Sequence, residues 1–382
     1  MNINACEKLL LFVSFILTSS IVSADIKINC TENQTSNFLS EFDRFLIKIG
    51  LNKNLILKKN SKATAVLSLD TPENDTNTLN LNQRTEYQIQ DELIYLPVKN
   101  NLFREVKTVS KKEILLALLQ HGRVTEFSGD FCSFDKLLQN IEVRQNIVAW
   151  TERLSWVWPD GDPAFWNKKF WNKGTPLKKV KLVDAYNDMF FNQHKYSIGC
   201  YTASKIVFGH AILDYFNRIK RDPLMTMKIE KALYGEDGEP LIGVEPGDMW
   251  SFERDFDLKK KNIPGKVLTI QYMVAPKNFI PGDWAYILNT DEKTNKKIGY
   301  EGSNAIYLGK NRFDDYYNDK AEHSYSYEQK MFEVYQWRNN VFSMSRHKDR
   351  IKEIPETIKS KMDLSPSEGG QVLNFRTVPY IF

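Results

Sequence analysis

One cysteine at the start of an apolar helical pattern constrains the fold of this chain more than any other feature. Cys200 follows a polar lead-in that contains His194 and Tyr196. Beyond it, apolar residues recur at steps of three and four, the spacing of a helix with one buried face. These residues are Ala203, Ile206, Val207, Ala211, Ile212, Tyr215 and Phe216. The pattern predicts an amphipathic core helix with a lone thiol in its first turn.

The position of this thiol is suited to a nucleophile. The helix dipole and the unpaired backbone N–H groups of a first turn favour the thiolate, which is the reactive form of cysteine. The alternative interpretation of Cys200 is a small apolar residue buried where a helix begins.

Composition predicts a folded protein and gives no reason to expect a nucleic-acid partner. The 382 residues are enough for one large or two modest domains, and 42% of them are hydrophobic. The formal net charge is only +4, from 52 basic and 48 acidic residues. Because the basic residues form no stripe interleaved with aromatics, the sequence does not favour binding to nucleic acid.

The first 24 residues are typical of a secretory signal peptide. Lys8 precedes the short apolar run Leu9–Leu17, and Val22-Ser-Ala24 provides the small residues of a cleavage site. The apolar run is too short to span a bilayer comfortably. We therefore expect an exported protein, periplasmic or secreted, with no stable membrane span after the signal is removed.

Removal of this segment also removes Cys6 and leaves three cysteines in an oxidising environment. The economical assignment joins Cys30 to Cys132 in a disulfide and leaves Cys200 free. Three cysteines allow three pairings, so the sequence alone leaves the choice open.

The sequence divides into four segments. After the signal peptide (1–24), residues 25–110 read as an accessory α+β region without evident chemistry. Residues 111–345 form the expected catalytic-type domain, and residues 346–382 form a polar C-terminal tail.

Two features of the larger domain bear on its core and its cleft. A helix beginning at Phe134 has an apolar face and a second face, with Glu142 and Arg144, that we expect to be solvated. Aromatic residues cluster on the Pro- and Gly-broken loop that ends at Trp166, and Trp284 follows a later Pro-Gly-Asp turn. Trp166 and Trp284 are candidates for a substrate cleft, with core packing as the alternative.

A thiol on a helix start followed by an antiparallel sheet is the layout of papain-like cysteine enzymes, in which the sheet supplies the base. Two strand patterns after the Cys200 helix, 281–288 and 304–308, resemble the central strands of bacterial cell-wall cysteine peptidases.

Five ordered stretches resemble a narrower group, the bacterial spore-coat transglutaminases (protein-glutamine γ-glutamyltransferases). They are Glu142–Ala149, Phe165–Trp166, Cys200–Ala203, Phe279–Tyr286 with Asn289, and Tyr300–Gly309. The third reads Cys-Tyr-Thr-Ala where the family has Cys-Ala-Thr-Ala. The resemblance covers about residues 134–317. It implies an α+β, papain-like core, in which the nucleophile helix packs on an antiparallel sheet.

The resemblance also implies a reaction and its partners. The cysteine thiolate attacks the side-chain amide of a protein glutamine, ammonia leaves, and a lysine amine takes the acyl group as an isopeptide crosslink. The expected substrates are protein Gln and Lys side chains, and neither a metal nor an organic cofactor is implied.

Three positions depart from the family pattern. Gly199 replaces the glutamate that directly precedes the cysteine, Ser303 replaces the catalytic glutamate, and Tyr316 falls near the family's histidine. A serine cannot act as the base at neutral pH, so the family's usual dyad is not intact.

Other residues are candidates for the missing base. In a strand, Glu301 would share a face with Ser303, about 7 Å along. His194 and His323 are alternatives if either folds towards the thiol, although each is also typical of a solvated loop. Asn304 keeps the family's residue, and we expect it to orient the base or to bind substrate.

The departures leave two further functions open. Water could replace the amine acceptor, which would make the protein a cell-wall amidase or peptidase of the same fold. Alternatively, the loss of the family acids could mark a degenerate enzyme that now binds a partner. The sequence does not predict an oligomeric state.

Overall fold

The computed structural model describes residues 26–72, 74–157, 164–172, 174–234, 269–271, 277–288, 302–314, 316–318, 323–340, 356–357, 360 and 373–377. Within these ranges the α-helices are α1 (Glu32–Lys48), α2 (Lys111–Leu119), α3 (Phe134–Thr151), α4 (Leu182–Phe191), α5 (Cys200–Asp214), α6 (Pro223–Tyr234) and α7 (Tyr327–Asn340). The strands are β1 (Ile26–Asn29), β2 (Ile56–Asn60), β3 (Thr64–Leu69), β4 (Glu92–Val98), β5 (Leu102–Thr108), β6 (Thr125–Ser128), β7 (Trp171–Asn172), β8 (Thr175–Pro176), β9 (Thr269–Gln271), β10 (Trp284–Leu288), β11 (Gly302–Gly309), β12 (Arg312–Asp314), β13 (Ser324–Tyr325) and β14 (Leu373–Thr377). The predicted mixture of helices and sheets is confirmed.

The front of the chain folds around a four-stranded sheet of order β2-β3-β1-β6. Strand β1 is antiparallel to β3 and parallel to β6. Helix α1 begins with a capping box, in which Thr31 and Gln34 satisfy each other's backbone N–H groups. The predicted disulfide between Cys30 and Cys132 is confirmed, and Cys200 is a free thiol. Because β6 lies beyond residue 110, this sheet crosses the predicted domain boundary, which stays a prediction.

A six-stranded sheet of order β13-β12-β11-β10-β14-β9 supports the Cys200 helix. Its central strands β10 and β11 are antiparallel, with Tyr286 opposite Asn304. Strand β14 comes from the polar tail and pairs with β10. One face of the central pair, with Trp284 and Ile306, belongs to the main hydrophobic core. The other face forms a second core with residues of α7.

Helix α5 is more deeply buried than an amphipathic pattern predicts. Every residue from Tyr201 to Asp214 is buried, including the polar side chains of Ser204, Lys205 and His210. The helix is enclosed because α3, α4, α6 and β11 all pack against it. The expectation of one buried face was therefore too narrow.

The solvated face predicted for α3 is also wrong at one position. Arg144 is only 2% exposed, and its guanidinium donates to the carboxylate of Asp283 at 2.9 Å and to the carbonyl of Pro281 at 3.1 Å. Arg123 pairs with the same carboxylate, and the backbone N–H of Ile280 donates to it at 2.9 Å. Two buried cations thus share one buried anion, and they hold the pKa of Asp283 below its ordinary value against the opposing effect of burial.

The turn that carries Asp283 requires a glycine beside it. Gly282 has a φ of +84°, and a Cβ there would lie 3.0 Å from the Cα and Cβ atoms of Arg144. The turn therefore approaches α3 closely enough for the ion pairs to form only because this position has no side chain.

Replacement of Asp283 by asparagine should destabilise the fold strongly. The variant keeps the shape of the side chain but removes the carboxylate charge that pairs with the buried Arg123 and Arg144. We expect the free energy of unfolding to fall by about 3–5 kcal/mol in chemical denaturation. The exposed Asp135→Asn is the matched control, and equal stabilities of the two variants would contradict the assigned role of Asp283.

A second buried acid connects helix α2 to the turn between β11 and β12. The carboxyl of Glu113 accepts the backbone N–H of Lys310 at 2.8 Å. Burial raises the pKa of Glu113 from its ordinary 4.5 to about 7, with the hydrogen bond from Lys310 opposing the shift. The neutral acid is therefore favoured in the folded state.

This raised pKa should make the stability depend on pH. The contribution of Glu113 is fully present below about pH 4.5 and is lost as the pH rises through about 7. Relative to Glu113→Gln, the wild type should lose up to about 3 kcal/mol of unfolding free energy across that window. Denaturant titrations of both proteins at several pH values test this, and parallel pH profiles would refute it.

Candidate active site

The segment that leads into Cys200 is extended and held on both sides. Ser197 forms isolated bridges with Val157 and with Phe165. The hydroxyl of Tyr317 donates to the carbonyl of Ile198 at 2.9 Å. Gly199 then occupies the N-cap position of α5, and no side chain caps the helix there. Cys200 is therefore the first residue of the helix, where the helix dipole places its positive end.

Asn304 is the β11 residue that faces the thiol. Its side-chain nitrogen lies 3.7 Å from Sγ of the half-buried Cys200. Its oxygen accepts the indole N–H of Trp284 at 2.7 Å. This hydrogen bond fixes which end of the amide points at the sulfur, so Asn304 presents an N–H donor to Cys200.

The side chain of Trp284 is held in place by aromatic residues of α5. The indole is 1% exposed, and its ring lies 5.3 Å from the ring of Tyr201 and 6.0 Å from that of Phe208. Trp284 follows directly after Asp283, so the buried ion pairs fix the start of its strand. Trp284 therefore holds the Asn304 amide through a hydrogen bond from a fixed indole ring.

Ser303 lies on the other face of the sheet. It pairs with Ile287 and alternates with Asn304, and Ile287 and Ala305 both belong to the second core. The serine at the position of the family's catalytic glutamate is therefore turned away from the thiol. Glu301, the predicted base, lies outside the described residues.

The two histidines differ in their surroundings. His194 is exposed in a 3₁₀ turn before the Cys200 lead-in. His323 is also exposed, and its Nδ1 lies 2.8 Å from the carbonyl oxygen of Tyr317. If Nδ1 donates there, Nε2 is left as the basic nitrogen. Tyr317 thereby links the His323 ring to the Ile198 carbonyl, two residues before Cys200.

A hydrogen-bonded pair that the sequence did not reveal supports the first turn of α5. The hydroxyl of Ser204 donates to the carbonyl of Cys200 at 2.8 Å and lies 2.7 Å from the hydroxyl of Tyr316. Tyr316 has a φ of +65°, which is uncommon for a bulky residue. Tyr316 falls near the position of the family's histidine. Through the Ser204 hydroxyl it is connected to the backbone carbonyl of Cys200. No sequence pattern distinguishes this pair from ordinary core residues.

Trp166 serves as a packing residue. It is 7% exposed, and its ring lies 5.2 Å from Trp171 and 6.2 Å from Tyr196. It therefore packs against Tyr196 in the segment before Cys200 and belongs to the main hydrophobic core, as the core-packing alternative expects.

The described residues contain neither a metal-binding cluster nor a membrane-spanning helix. In the part of the chain that the structure describes, no three His, Cys, Asp or Glu side chains are grouped to hold a metal ion. Over the same residues, no helix combines the length and apolarity needed to cross a membrane.

Comparison with known proteins identifies the family. A family model described as protein-glutamine gamma-glutamyltransferase matches residues 96–319, more than half of the 382 residues. The chain belongs to this family. Among solved structures it is similar to a transglutaminase from Geobacillus stearothermophilus without its C-terminal extension. The two are 20% identical, with a TM-score of 0.38, over 64% of this chain and 93% of the other. No match was found among curated proteins.

Removal of the Trp284 N–H should affect turnover more than stability. In Trp284→Phe the Asn304 amide loses the donor that orients it, while the aromatic packing is largely kept. We expect kcat for glutamine–amine transfer to fall about tenfold, KM to stay nearly constant, and unfolding free energy to fall by about 1 kcal/mol. Trp166→Phe, which should leave kcat unchanged, is the matched control. If Trp284→Phe lowers the unfolding free energy but leaves kcat unchanged, Trp284 serves only core packing.

Proposed function

We propose that the protein catalyses its family's reaction, the transfer of a glutamine γ-acyl group to a primary amine, with Cys200 as the nucleophile. Membership of the family, over residues 96–319, supports the reaction. The observation that supports the residue is the placement of Cys200 on the first turn of a buried helix, facing an oriented amide donor.

The reaction proceeds in two acyl transfers. The thiolate of Cys200 attacks the carbonyl carbon of the glutamine side chain, and the C–N bond breaks as ammonia leaves with a proton. The resulting thioester is then attacked by a lysine amine. The C–S bond breaks, an isopeptide bond forms, and the thiol is regenerated. A covalent intermediate divides one difficult substitution into two easier ones.

Asn304 stabilises negative charge during both steps. Its N–H lies beside Sγ, where charge resides on the thiolate and, after attack, on the adjacent oxyanion. A donor oriented before reaction stabilises that charge without reorganising. Asn304 is neutral and keeps its proton, so it orients and polarises but cannot serve as the base.

The base is proposed to be Glu301 or His323. Glu301 directly precedes β11 in the sequence and supplies a carboxylate, a side chain that can accept a proton from a thiol. His323 is supported by its contact with Tyr317, whose hydroxyl holds the segment just before Cys200. Histidine is the side chain that most often serves as a general base in enzymes.

We propose that this arrangement forms a papain-like core. A helix with the thiol at its first residue packs on the central strands of an antiparallel sheet, and an asparagine on the adjacent strand faces the sulfur. A cell-wall amidase or peptidase would share this layout. The family match favours amine transfer over that alternative and over a degenerate binding protein.

Export of the mature chain is part of the proposal. Residues 1–24 have the pattern of a signal peptide, and a disulfide between Cys30 and Cys132 is stable where the environment is oxidising. Substrates would then be proteins outside the cytoplasm.

Incorporation of a fluorescent primary amine into a glutamine-rich protein such as casein tests the function. Labelling should be complete in the wild type and absent in Cys200→Ala, whereas Asn304→Ala should lower kcat by about 10²–10³-fold. Ammonia release without labelling would indicate a hydrolase instead. No labelling and no ammonia release from the folded wild type would contradict the proposal.

Two further variants distinguish the candidate bases. Glu301→Gln and His323→Gln are near-isosteric and remove the titratable group from each side chain. General base catalysis typically contributes about 10²–10⁴-fold, so the variant that lacks the base should lose activity on that scale. The pH profile of kcat/KM should lose its lower limb in the same variant. If both variants retain wild-type profiles, neither residue is the base.

A further inference from the structure

A large groove lies beside the segment that leads to Cys200. It encloses about 730 Å³ between the β4–β5 hairpin and helices α3 and α4. Apolar side chains from all three elements form its floor, among them Leu96, Trp150 and Phe190. Lys99, Arg104 and Arg153 line it as cations, and we call the whole feature the basic groove.

The described charges of the basic groove are one-sided. Among its lining residues that the structure describes, none is acidic. Burial, and then the proximity of Arg104, lowers the pKa of Arg153. Like charges held close together create a positive potential that an anion relieves.

The acids next in sequence to Arg104 and Arg153 have partners outside the groove, and the charge of Glu152 offsets part of the positive potential at Arg153. Glu105 alternates with Arg104 along β5, and its carboxylate accepts the hydroxyl of Tyr95 on the opposite face of the hairpin. Glu152, which precedes Arg153, pairs with Arg312 at 3.0 Å. Within the described residues, neither Lys99 nor Arg104 has an ion-pair partner.

The basic groove and the nucleophile share a stretch of backbone. His194 lines the groove and belongs to the lead-in to Cys200. Asn318 also lines it, and its backbone N–H donates to the carbonyl of Trp156 at 3.0 Å. The next residue, Val157, bridges Ser197 in the extended segment before the thiol. A polypeptide bound in the groove would therefore lie next to the segment that leads to Cys200.

We propose that the basic groove binds an acidic segment of the protein that donates the glutamine, with apolar side chains of that segment on the aromatic floor. This inference rests on the proposed function, because it assigns a substrate preference to the same active site. Charge complementarity selects the segment and speeds its encounter, while the buried apolar contacts hold it.

Paired donor peptides test the preference. One peptide carries Asp and Glu residues beside its glutamine, and the other has Asn and Gln at those positions. We expect kcat/KM for the acidic peptide to be about tenfold higher at low ionic strength, and the ratio to shrink as salt is added. In Lys99→Glu/Arg104→Glu the preference should vanish or reverse. A small donor such as N-carbobenzoxy-glutaminyl-glycine is too short to fill the groove. It should react at the same rate with the wild type and with Lys99→Glu/Arg104→Glu.

The matched control places the same charge change elsewhere. Lys53→Glu/Lys59→Glu alters two exposed lysines of the accessory region and should keep the acidic preference. Equal loss in both double variants would assign the effect to net charge and overturn the inference. Equal rates for the two peptides in the wild type would overturn it as well, while leaving the proposed function intact.

A binding measurement separates the two proposals. Anisotropy of the fluorescent acidic peptide titrated with Cys200→Ala protein requires no chemistry. Binding that weakens about tenfold in the added Lys99→Glu/Arg104→Glu background supports the basic groove even if no donor reacts, in which case only the proposed function fails. Unchanged binding of the acidic peptide, or equal binding of the neutral peptide, refutes the basic groove.

Discussion

The buried carboxylate of Asp283 is the contact on which the arrangement of this protein depends. It binds Arg123, which follows helix α2, and Arg144 of helix α3, while it closes the turn before β10 through Ile280. Burial of three charges is unfavourable unless each is paired and hydrogen-bonded. Any arrangement that separated the helices from the turn would leave these charges buried and unpaired. The cluster therefore holds α3 against the turn and positions the start of β10.

The position of the groups around Cys200 depends on that strand. Trp284, the first residue of β10, orients the amide of Asn304 on the neighbouring strand, and Asn304 faces the thiol at the start of α5. A second hydrogen-bonded path reaches the same turn through Tyr316 and Ser204. Cys200 is thus held between a buried helix and a sheet that the ion pairs anchor at the start of β10. The proposed role of Asn304 as a donor to a developing oxyanion requires such preorganisation.

The sequence predicted the helices and strands better than it predicted which side chains are buried and which groups they contact. The step of three and four after Cys200 identified α5, because helical spacing is a local property, but it did not reveal that polar residues such as His210 are enclosed by other helices. Arg144 was expected in water because its counter-charge, Asp283, is remote in sequence. Ser303 was compared with the family's glutamate by position, and only the strand register shows that Asn304 faces the sulfur. Non-local pairing decided each of these cases.

Intact mass of the protein after incubation with a glutamine donor, in the absence of any amine, tests the central claim most directly. A thioester at Cys200 would increase the mass by that of the donor less one ammonia, and peptide mapping would place the increase on Cys200. Addition of an amine should then restore the original mass and release the isopeptide product. If no adduct forms on the folded protein, or if it maps to another residue, Cys200 is not the nucleophile, and the geometry around Asn304 serves only the packing of α5 on the sheet.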